Sequence, residues 1–234
     1  MYQNAMEDRV HQIFETIADK YDLANGLISL FQHKRWRRDA LKKLNLKKGA
    51  RVLDLCCGTG DWTISIASEV GPRGKVYGID FSEKMLEKAR HKVGCSGLDN
   101  VILVKGNVRS LPFQGGSFDY ATIGFGLRNV ANYLQTLEEI KRILIAGGKV
   151  AILETSKPSW PIMRPLYLCY LRFVVPLMGA LLVGSFQEYY WLYKSTLAFP
   201  EKEKLVKMLE EIGFKDVSFK NYWGGVTAMH LGTK

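Results

Sequence analysis

Short apolar runs alternate along this chain with amphipathic stretches, and the two kinds of segment have different periods. Five apolar runs bounded by turn residues predict buried strands, while the stretches between them carry apolar residues at helical spacing and predict helices. The predicted strands are residues 51–56, 75–80, 101–105, 118–123 and 148–154. The predicted helices are residues 7–20, 35–44, 60–70, 82–93, 132–144 and 201–212. Strands that alternate with helices indicate an α/β fold with a parallel sheet.

The last part of the chain departs from this alternation. Two predicted strands, at 215–220 and 226–232, are separated only by a Tyr-Trp-Gly-Gly segment at 222–225, which is a hairpin signal. We therefore predict a seven-stranded sheet whose last strand is antiparallel. No repeat or low-complexity linker interrupts the chain, so residues 1–234 are predicted to form one domain with an N-terminal helical cap at 1–48.

Residues 157–200 form an unusually long connection. A crossover between parallel strands needs about a dozen residues, whereas this segment is far longer, apolar and aromatic. Residues 166–183 approach the length of a membrane span, but Arg172 and Pro176 lie in the middle and count against one. We predict a helical lid inserted over the pocket of a hydrophobic, lipid-like substrate. An extra pair of core helices without a ligand role is the alternative.

Composition narrows the setting of the protein. A chain of 234 residues with 47% hydrophobic content can bury one sizeable core. The cysteines at 56, 57, 95 and 169 have no C-x-x-C spacing, so we predict no metal site and a reduced, intracellular protein. Residues 1–19 are polar and charged, unlike a signal peptide. The sequence therefore predicts a cytoplasmic location.

The formal net charge of +10 raises the question of an anionic partner. Much of the excess lies in one basic run, residues 34–51, where Asp39 is the one opposing charge. Such a run can solvate a helix face, dock on anionic lipid headgroups or grip nucleic acid. It contains no basic motif interleaved with aromatic residues, so we predict no nucleic-acid partner. A peripheral contact with the inner face of an anionic membrane stays open beside the plain solvated helix.

The most informative motif is Val-Leu-Asp-Leu-Cys-Cys-Gly-Thr-Gly-Asp at 52–61. An apolar strand runs into a tight turn at Gly58 and Gly60, and a second strand ends at Asp80, twenty positions after Gly60. This layout places a nucleoside at the carboxyl edge of a parallel sheet, where the Asp80 carboxylate can bridge the ribose hydroxyls.

The residues around the turn distinguish two cofactor classes. A dinucleotide loop binds a pyrophosphate on bare backbone N–H groups and has a third glycine for close packing, but here the third position is Thr63. Asp54 and Asp61 flank the turn, and two carboxylates would repel a pyrophosphate while suiting the ammonium and sulfonium groups of S-adenosylmethionine (SAM). The loop therefore predicts a SAM-dependent methyltransferase; acids that serve only as caps are the alternative.

Four further blocks carry a resemblance to a known family. They are Tyr21-Asp22-Leu23-Ala24-Asn25 with Ser29, His33 and Trp36; Gly124-Phe125-Gly126-Leu127-Arg128-Asn129-Val130; Arg142-Ile143-Leu144-Ile145-Ala146-Gly147-Gly148 with Glu154-Thr155-Ser156-Lys157-Pro158; and Ser195, Phe199-Pro200, Asn221, Gly224-Gly225 and His230. With them the chain resembles the ubiquinone/menaquinone C-methyltransferase family over nearly its whole length, and the demethylmenaquinone methyltransferases most. It departs at Ala24, where Met is usual, and at Ile145-Ala146, where Lys-Pro is usual.

The resemblance implies a class I SAM-dependent methyltransferase fold, which is Rossmann-like, with SAM contacts at Thr59, Asp80, Asn107 and Val108. The Asn107 amide oxygen can accept from the adenine amino group, where many relatives carry Asp. With the glycine loop, the candidate cofactor set is Asp54, Gly58, Thr59, Gly60, Asp80, Asn107, Val108 and Gly124. Gly124 stands where ubiquinone-type members often carry Ser, which favours the menaquinone branch.

The resemblance also implies methylation of a ring carbon of a prenylated quinol, demethylmenaquinol to menaquinol. The ring must nearly lose a phenolic proton before its carbon attacks, so the site needs a base, a cation and exclusion of water. We predict Arg128 as the phenolate partner, Asn129 as the group that fixes the ring oxygen, and Tyr21 and His33 as proton handlers. The alternatives are an Arg128 paired with a surface acid and a His33 that caps a helix. His230 is expected in the core.

Other functions stay open at this point. A benzoquinol of the ubiquinone pathway, a small phenol, a sterol or RNA could be the methyl acceptor, and a non-catalytic scaffold could retain the fold. The intact motif residues argue against the scaffold. The sequence leaves the oligomeric state undetermined, with a homodimer as one candidate.

Overall fold

One mixed sheet organises the computed structural model, which describes residues 2–234. Its strands are β1 (Arg51–Leu55), β2 (Lys75–Asp80), β3 (Val101–Lys105), β4 (Phe118–Gly124), β5 (Leu144–Thr155), β6 (Lys215–Tyr222) and β7 (Thr227–Thr233). They lie in the order β3-β2-β1-β4-β5-β7-β6. Strands β1 to β5 are parallel, and β7 is antiparallel to both β5 and β6. The predicted class I methyltransferase fold with its antiparallel last strand is confirmed.

Ten α-helices are present in the described part of the chain. They are α1 (Tyr2–Ile17), α2 (Tyr21–Ile28), α3 (Gln32–Leu44), α4 (Asp61–Val70), α5 (Glu83–Ser96), α6 (Tyr133–Ile143), α7 (Met163–Cys169), α8 (Val175–Val183), α9 (Phe186–Ala198) and α10 (Lys202–Ile212). The Ser82 hydroxyl accepts from the Met85 N–H at 3.2 Å and caps α5 as its sequence position indicates.

Several element boundaries differ from the sequence prediction by a few residues, and two of these differences change how the chain turns. The helix predicted at 7–20 ends at Ile17, and a 3-10 turn at Ala18–Lys20 turns the chain into α2, which the pattern did not separate. Strand β5 begins at Leu144 rather than at 148. The glycines that suggested a turn lie inside this strand, where Gly147 has φ 76° and donates to the Lys234 carbonyl at 2.9 Å.

The hydrophobic core has two layers and a roof. One sheet face packs Leu53, Ile123 and Ile152 against α6 and α10, and the other packs Val52 and Leu153 against α3 and α4. The roof is a third cluster, in which Ile13, Ile17, Leu171, Val175 and Tyr189 join α1 to α8 and α9. The N-terminal helix and the segment 157–200 therefore meet in this roof.

Candidate active site

The glycine loop after β1 has a backbone that few side chains tolerate. Cys56, Gly58 and Gly60 all have positive φ, at 50°, 55° and 82°. A Cβ added at Gly60 would lie 3.1 Å from the Ala89 Cβ, so this glycine permits close packing of α5. A Cβ added at Gly58 would meet no atom within 4 Å, so this position faces open space. Gly60 therefore serves the packing of the fold, whereas Gly58 leaves open space at the edge of the sheet.

A cavity of about 100 Å³, here called the cofactor cavity, lies at this edge of the sheet. Its lining includes five of the eight residues that the sequence assigned to the cofactor: Gly58, Asp80, Asn107, Val108 and Gly124. Helix α1 covers it with Glu7, Val10 and Phe14. The ends of four different segments therefore meet at one site.

Asp80 is the central polar group of the cofactor cavity. Its carboxylate accepts from the Gly58 N–H at 2.8 Å and from the Ser82 N–H at 3.0 Å. The side chain is buried, and burial raises its pKa above the ordinary value. Each oxygen keeps a second lone pair for a hydroxyl of a ribose.

Asp54 has a different role from the predicted one. Its two oxygens accept from the Thr63 and Thr122 hydroxyls at 2.6 and 2.7 Å, and the residue is 1% exposed. Burial raises the pKa of Asp54 to about 6. The carboxylate therefore braces β1 against β4 and α4 instead of meeting the ammonium group of a ligand. Thr63, which replaces the third glycine, supplies one of these braces.

The other loop acid is also engaged. Lys92 donates to Asp61 at 2.6 Å and to the Thr59 hydroxyl at 3.0 Å, and Thr59 donates to Asp22 at 2.7 Å. Although burial works the other way, the Lys92 ammonium lowers the pKa of Asp61. The Thr59 side chain thus ties the loop to α2, and neither loop acid carries a free charge towards the cavity.

Asn107 lies on the cofactor cavity, but its amide oxygen already accepts from the Arg109 N–H at 2.9 Å. One lone pair is left for an adenine amino group. Arg109 also pairs with Glu7 of α1, with both nitrogen–oxygen distances at 2.6 Å. Helix α1 is therefore fastened directly over the predicted adenine end.

Gly124 is required by its neighbour Trp62. A Cβ at position 124 would lie 2.7 Å from the Trp62 Cε3 atom. A serine, as in ubiquinone-type relatives, needs this indole to move, because such a distance is well inside van der Waals contact.

A second cavity of about 630 Å³, here called the acceptor cavity, lies under the helical segment 157–200. Most of its lining is apolar, and α1, α2, α7 and α9 each contribute three or four residues to it. Four residues line both cavities and form the wall between them: Phe14, Tyr21, Phe125 and Asn129. The predicted lid therefore covers a large apolar space that adjoins the cofactor cavity.

Arg128 lines the acceptor cavity but is not a free cation. The Arg128 Nη1 donates to the Glu154 carboxylate at 2.5 Å and to the Phe125 carbonyl at 2.6 Å. The backbone N–H of Arg128 also donates to Glu154, at 3.1 Å. The side chains of Arg128 and Glu154 are 11% and 1% exposed. The acid is at the end of β5 and is buried, so the pairing with a surface acid that the sequence left open is wrong.

Asn129 lies in the shared wall and is buried. Its oxygen accepts from the Trp191 indole N–H at 2.9 Å, whereas its Nδ2 is buried without a hydrogen-bond partner among the described residues. A buried donor without a partner is costly. A ligand oxygen at the wall would satisfy it.

His33 faces the acceptor cavity from α3, with its Nδ1 2.6 Å from the Ser29 hydroxyl. That hydroxyl also lies 2.6 Å from the Asn25 carbonyl, to which it can only donate. Ser29 has one proton, so both contacts are satisfied when Nδ1 carries the imidazole proton and Nε2 is an acceptor. Burial, helped by Arg37, lowers the pKa of His33 to about 4, and the ring is neutral near pH 7.

Tyr21 is the weaker candidate for a base. It lines both cavities, and burial raises the pKa of its hydroxyl above 10.0. The phenol therefore stays protonated near neutral pH and can donate or relay a proton rather than remove one.

Arg37 is a residue of the acceptor cavity that the sequence analysis missed. It lies one helical turn after His33, and its nearest carboxylate, Asp61, is 3.7 Å away. Its Nε is buried without a partner in the described chain. The four-residue spacing on α3 was visible in the sequence, but Arg37 belongs to the basic run and was counted with the surface charges.

The lysines at the end of the basic run lie away from this site. Lys47 and Lys48 line a separate surface depression with Ala50, Asp119 and Tyr120, where β1 and β4 begin. Helix α3 runs from the acceptor cavity to that opposite edge of the sheet. These lysines therefore do not line the acceptor cavity.

The model of the ubiE/COQ5 methyltransferase family matches residues 2–234. The chain belongs to this family. It is 50% identical over 228 residues to a demethylmenaquinone methyltransferase of Shouchella clausii, with 97% of each chain covered. It is also 50% identical over 230 residues to one of Staphylococcus aureus, covering 98% of this chain and 95% of that one. The family resemblance inferred from the sequence is confirmed.

Solved structures agree on the fold of this ubiE/COQ5 family member. A SAM-dependent methyltransferase of Thermotoga maritima, described as a possible histamine N-methyltransferase, superposes with a TM-score of 0.69 at 22% identity. The superposition covers 95% of this chain and 99% of that chain. By family and fold, the chain is a SAM-dependent methyltransferase. The open position at Gly58 and the Asp80 carboxylate fit the nucleoside of that cofactor.

Proposed function

We propose that the chain transfers the methyl group of SAM to a ring carbon of a demethylmenaquinol, giving a menaquinol. Support comes from two relatives that are named for that activity and are 50% identical to this chain over nearly their whole length. The single observation that carries the proposal is the acceptor cavity, which is large, apolar and separated from the cofactor cavity only by the shared wall.

The apolar lining suits a two-ring quinol with an isoprenoid tail. Burial of such a ligand excludes water, and each charge near the ring then acts in a medium of low dielectric constant. Bound SAM would supply an electrophilic methyl group. The remaining requirements are proton removal from a ring hydroxyl and stabilisation of the oxygen anion.

His33 is the base in this proposal. Its neutral ring offers Nε2 to the phenolic proton, while Ser29 holds Nδ1 and fixes the orientation of the ring. A pKa of about 4 makes the imidazole a weak base by itself, so the phenolate must be stabilised as it forms.

Arg37 and Asn129 provide that stabilisation. The guanidinium of Arg37 lies 3.7 Å from Asp61, a carboxylate that it shares with Lys92, and Asn129 has an unused amide N–H in the shared wall. Arg128 is neutralised by Glu154, so its main task is to position the wall through the Phe125 carbonyl. The developing negative charge thus meets the guanidinium of Arg37 and the amide donor of Asn129.

Radiolabelled SAM and reduced, short-tailed quinols test this proposal in solution. Label should enter demethylmenaquinol and not the oxidised quinone, because only the quinol has a phenolic proton to lose. A demethoxy-benzoquinol should react more slowly. Transfer to RNA or a sterol but not to either quinol would overturn the assignment, and preference for the benzoquinol would move it to the ubiquinone pathway.

Arg128→Lys is the matched variant in the same assay. It keeps a charge beside Glu154 but loses the planar fork, and we expect SAM binding to persist while turnover falls at least about 100-fold. Normal turnover would contradict the positioning role of Arg128.

In this proposal the protein is cytoplasmic and collects its substrate at a membrane. All named site residues come from one chain, so a homodimer is not needed for the chemistry.

A further inference from the structure

A row of large apolar side chains lies exposed along α7 and α8. A π-helical turn at Tyr170–Val174 joins these helices, and the continuous helix Met163–Val183 is apolar and long enough to cross a membrane by length and composition alone. We define the apolar row as Ile162, Leu166, Phe173, Leu177 and Leu181. Their spacings of four and seven residues place them on one side of the helix. Ile162 and Leu181, at its ends, are 80% and 78% exposed.

The opposite side of this helix is already occupied. Leu171 and Val175 are buried in the roof cluster with Ile13 and Tyr189, and Gly179 lies directly against the Tyr189 ring. A membrane-spanning orientation would remove these side chains from the protein core. The buried side of the helix therefore belongs to the protein core, and only the apolar row on its other side can contact lipid.

The mouth of the acceptor cavity opens beside the apolar row. Leu166 belongs to the row and also lines the cavity, and Leu30 and Trp223 both line the cavity and are exposed. The rim is thus continuous with the row. A hydrocarbon chain that leaves the cavity passes onto an apolar surface rather than into water.

Cations border this face in a particular arrangement. Three of them lie over aromatic rings at 6.0, 5.2 and 5.2 Å from the ring centroids: Lys34 over Phe31, Arg172 over Phe173 and Lys194 over Tyr190. Lys20 also donates to the Leu182 carbonyl at 2.9 Å. Apolar side chains fringed by cations are typical of segments that lie in a membrane interface, because long basic side chains reach the headgroups. A second copy of this chain would bring the same cations against each other.

We propose that the apolar row inserts into one leaflet of a lipid bilayer, with the helix Met163–Val183 in the membrane plane and the cavity mouth open to the acyl chains. From Ile162 to Leu181 the row extends about 28 Å along the surface, at about 1.5 Å per residue. The proposal deepens the proposed function by stating how a tailed quinol enters. Membrane binding follows from the row alone, whatever the methyl acceptor is.

In this mode of binding, insertion of apolar side chains contributes more to membrane affinity than attraction between charges. The lysines of the basic run at 42, 43, 47 and 48 lie towards the opposite edge of the sheet. Their replacement by Gln should therefore leave membrane binding nearly unchanged. Binding should also persist at high salt, where contacts with headgroups alone are screened.

Vesicle flotation tests the proposal with matched variants of the full chain. The row variant is Ile162→Gln/Leu177→Gln/Leu181→Gln, and none of its three residues lines a cavity. The control variant, Ile102→Gln/Leu134→Gln/Ile145→Gln, replaces three exposed apolar residues on other surfaces. Phosphatidylcholine vesicles with and without phosphatidylglycerol are used at low and high salt. We expect the row variant to lose at least about tenfold in partitioning to vesicles, since three large side chains no longer leave water, while the control variant matches the parent chain.

Activity gives an independent readout. The row variant should methylate a short-tailed soluble quinol at the parental rate and a long-tailed quinol in vesicles far more slowly. If no quinol is methylated, the proposed function fails while flotation still decides the membrane surface. Equal flotation of the row variant and the parent overturns the proposal, as does extraction of the parent only by detergent. A parent dimer that the row variant disrupts, without vesicle binding, would assign the row to a second copy and also overturn it.

Discussion

The cofactor cavity and the acceptor cavity share one wall but are built by different means. In the cofactor cavity the key carboxylate, Asp80, is held by two backbone N–H groups from the loops beside it. In the acceptor cavity the polar groups lie in an apolar lining, and Asn129 and Arg37 keep buried nitrogen atoms without partners. The carboxylate of the cofactor cavity is therefore held by the protein itself, whereas the donors of Asn129 and Arg37 have no partner in the described chain and would be satisfied by a ligand oxygen.

This difference separates binding from catalysis. Preformed hydrogen bonds around the cofactor cavity favour a cofactor that binds in one pose. In the proposed reaction, the unpartnered donors near the acceptor cavity would stabilise a charge that develops only during reaction, which is the condition for catalysis rather than for tight ground-state binding. Variants on the two sides should accordingly change different measured quantities.

The largest effect is expected on the acceptor side, for His33→Ala. Loss of a positioned base should lower turnover by roughly 10²–10⁴-fold, while SAM affinity measured by calorimetry stays near that of the parent. Ser29→Ala is the matched control, since it leaves the imidazole in place but frees its orientation, and it should cost less. A His33→Ala protein with parental turnover would remove the base from the proposal and break the comparison.

Removal of Arg128 should affect stability through the ion pair behind the wall. Arg128→Ala leaves Glu154 buried without its partner, and we expect the free energy of unfolding to fall by about 3–5 kcal/mol, as measured by urea denaturation. The double variant Arg128→Met/Glu154→Gln removes both charges and should recover much of the loss. Equal losses in the single and double variants would show that packing, and not the uncompensated charge, sets the effect.

On the cofactor side, Asp80→Ala should weaken SAM binding by roughly 1.5–3 kcal/mol, as expected for lost hydrogen bonds to a charged group. Asp54→Asn is the matched control, because its side chain is sealed by two threonines, and its SAM affinity should change little. Calorimetric titration measures both. If Asp54→Asn weakened binding as much as Asp80→Ala, the division between a contacting and a bracing acid would be wrong. Tight NAD binding would contradict the cofactor itself.

The smallest effect concerns His230, which lies outside both cavities. Burial lowers its pKa to about 4, below the ordinary 6.5, so between these values the unfolded chain binds a proton that the folded chain does not. Its contribution to stability is complete above pH 6.5 and is lost as the pH falls towards 4. The parent should therefore lose up to about 1.4 kcal/mol per pH unit more than His230→Gln in this window.

Urea unfolding at several pH values checks this slope. His33 adds a slope of the same sign, and Asp54, whose pKa burial raises to about 6, adds one of opposite sign. Both residues are present in the parent and in His230→Gln, so the difference between the two proteins isolates the slope of His230. Parallel curves for the parent and the variant would place the acid sensitivity in the cavities rather than in the core.

The sequence predicted the fold because its signals are local. Strand periodicity, the cap at Ser82 and the glycine turn each depend on residues within a few positions, so seven strands and the antiparallel end were found with errors only at boundaries. Where the boundary moved, as at β5, pairing with the C-terminal end of the chain outweighed the turn preference of Gly147. The motif also identified Asp80, since an acid at that spacing reaches the sheet edge in any such fold.

The partners of buried charges could not be predicted in the same way. Arg128 and Glu154 are far apart in the sequence and meet only because β4 and β5 are neighbours with parallel carboxyl ends. Asp54 was predicted to face a ligand, yet each of its carboxylate oxygens accepts a hydrogen bond from a threonine, one in α4 and one in β4. Arg37 was counted as a surface charge because composition does not distinguish the inner face of α3 from its outer face.

The sequence by itself therefore determined the seven strands and the cofactor class, because these follow from spacing along the chain, and its motif residues carried the resemblance to the family. Only the tertiary structure decided which polar groups are satisfied and which remain free. It also placed Lys42, Lys43, Lys47 and Lys48 away from the apolar row and turned that row outward beside the cavity mouth. The physical reason is that the charge and solvation of a side chain depend on which distant segments pack around it, and packing is decided in three dimensions.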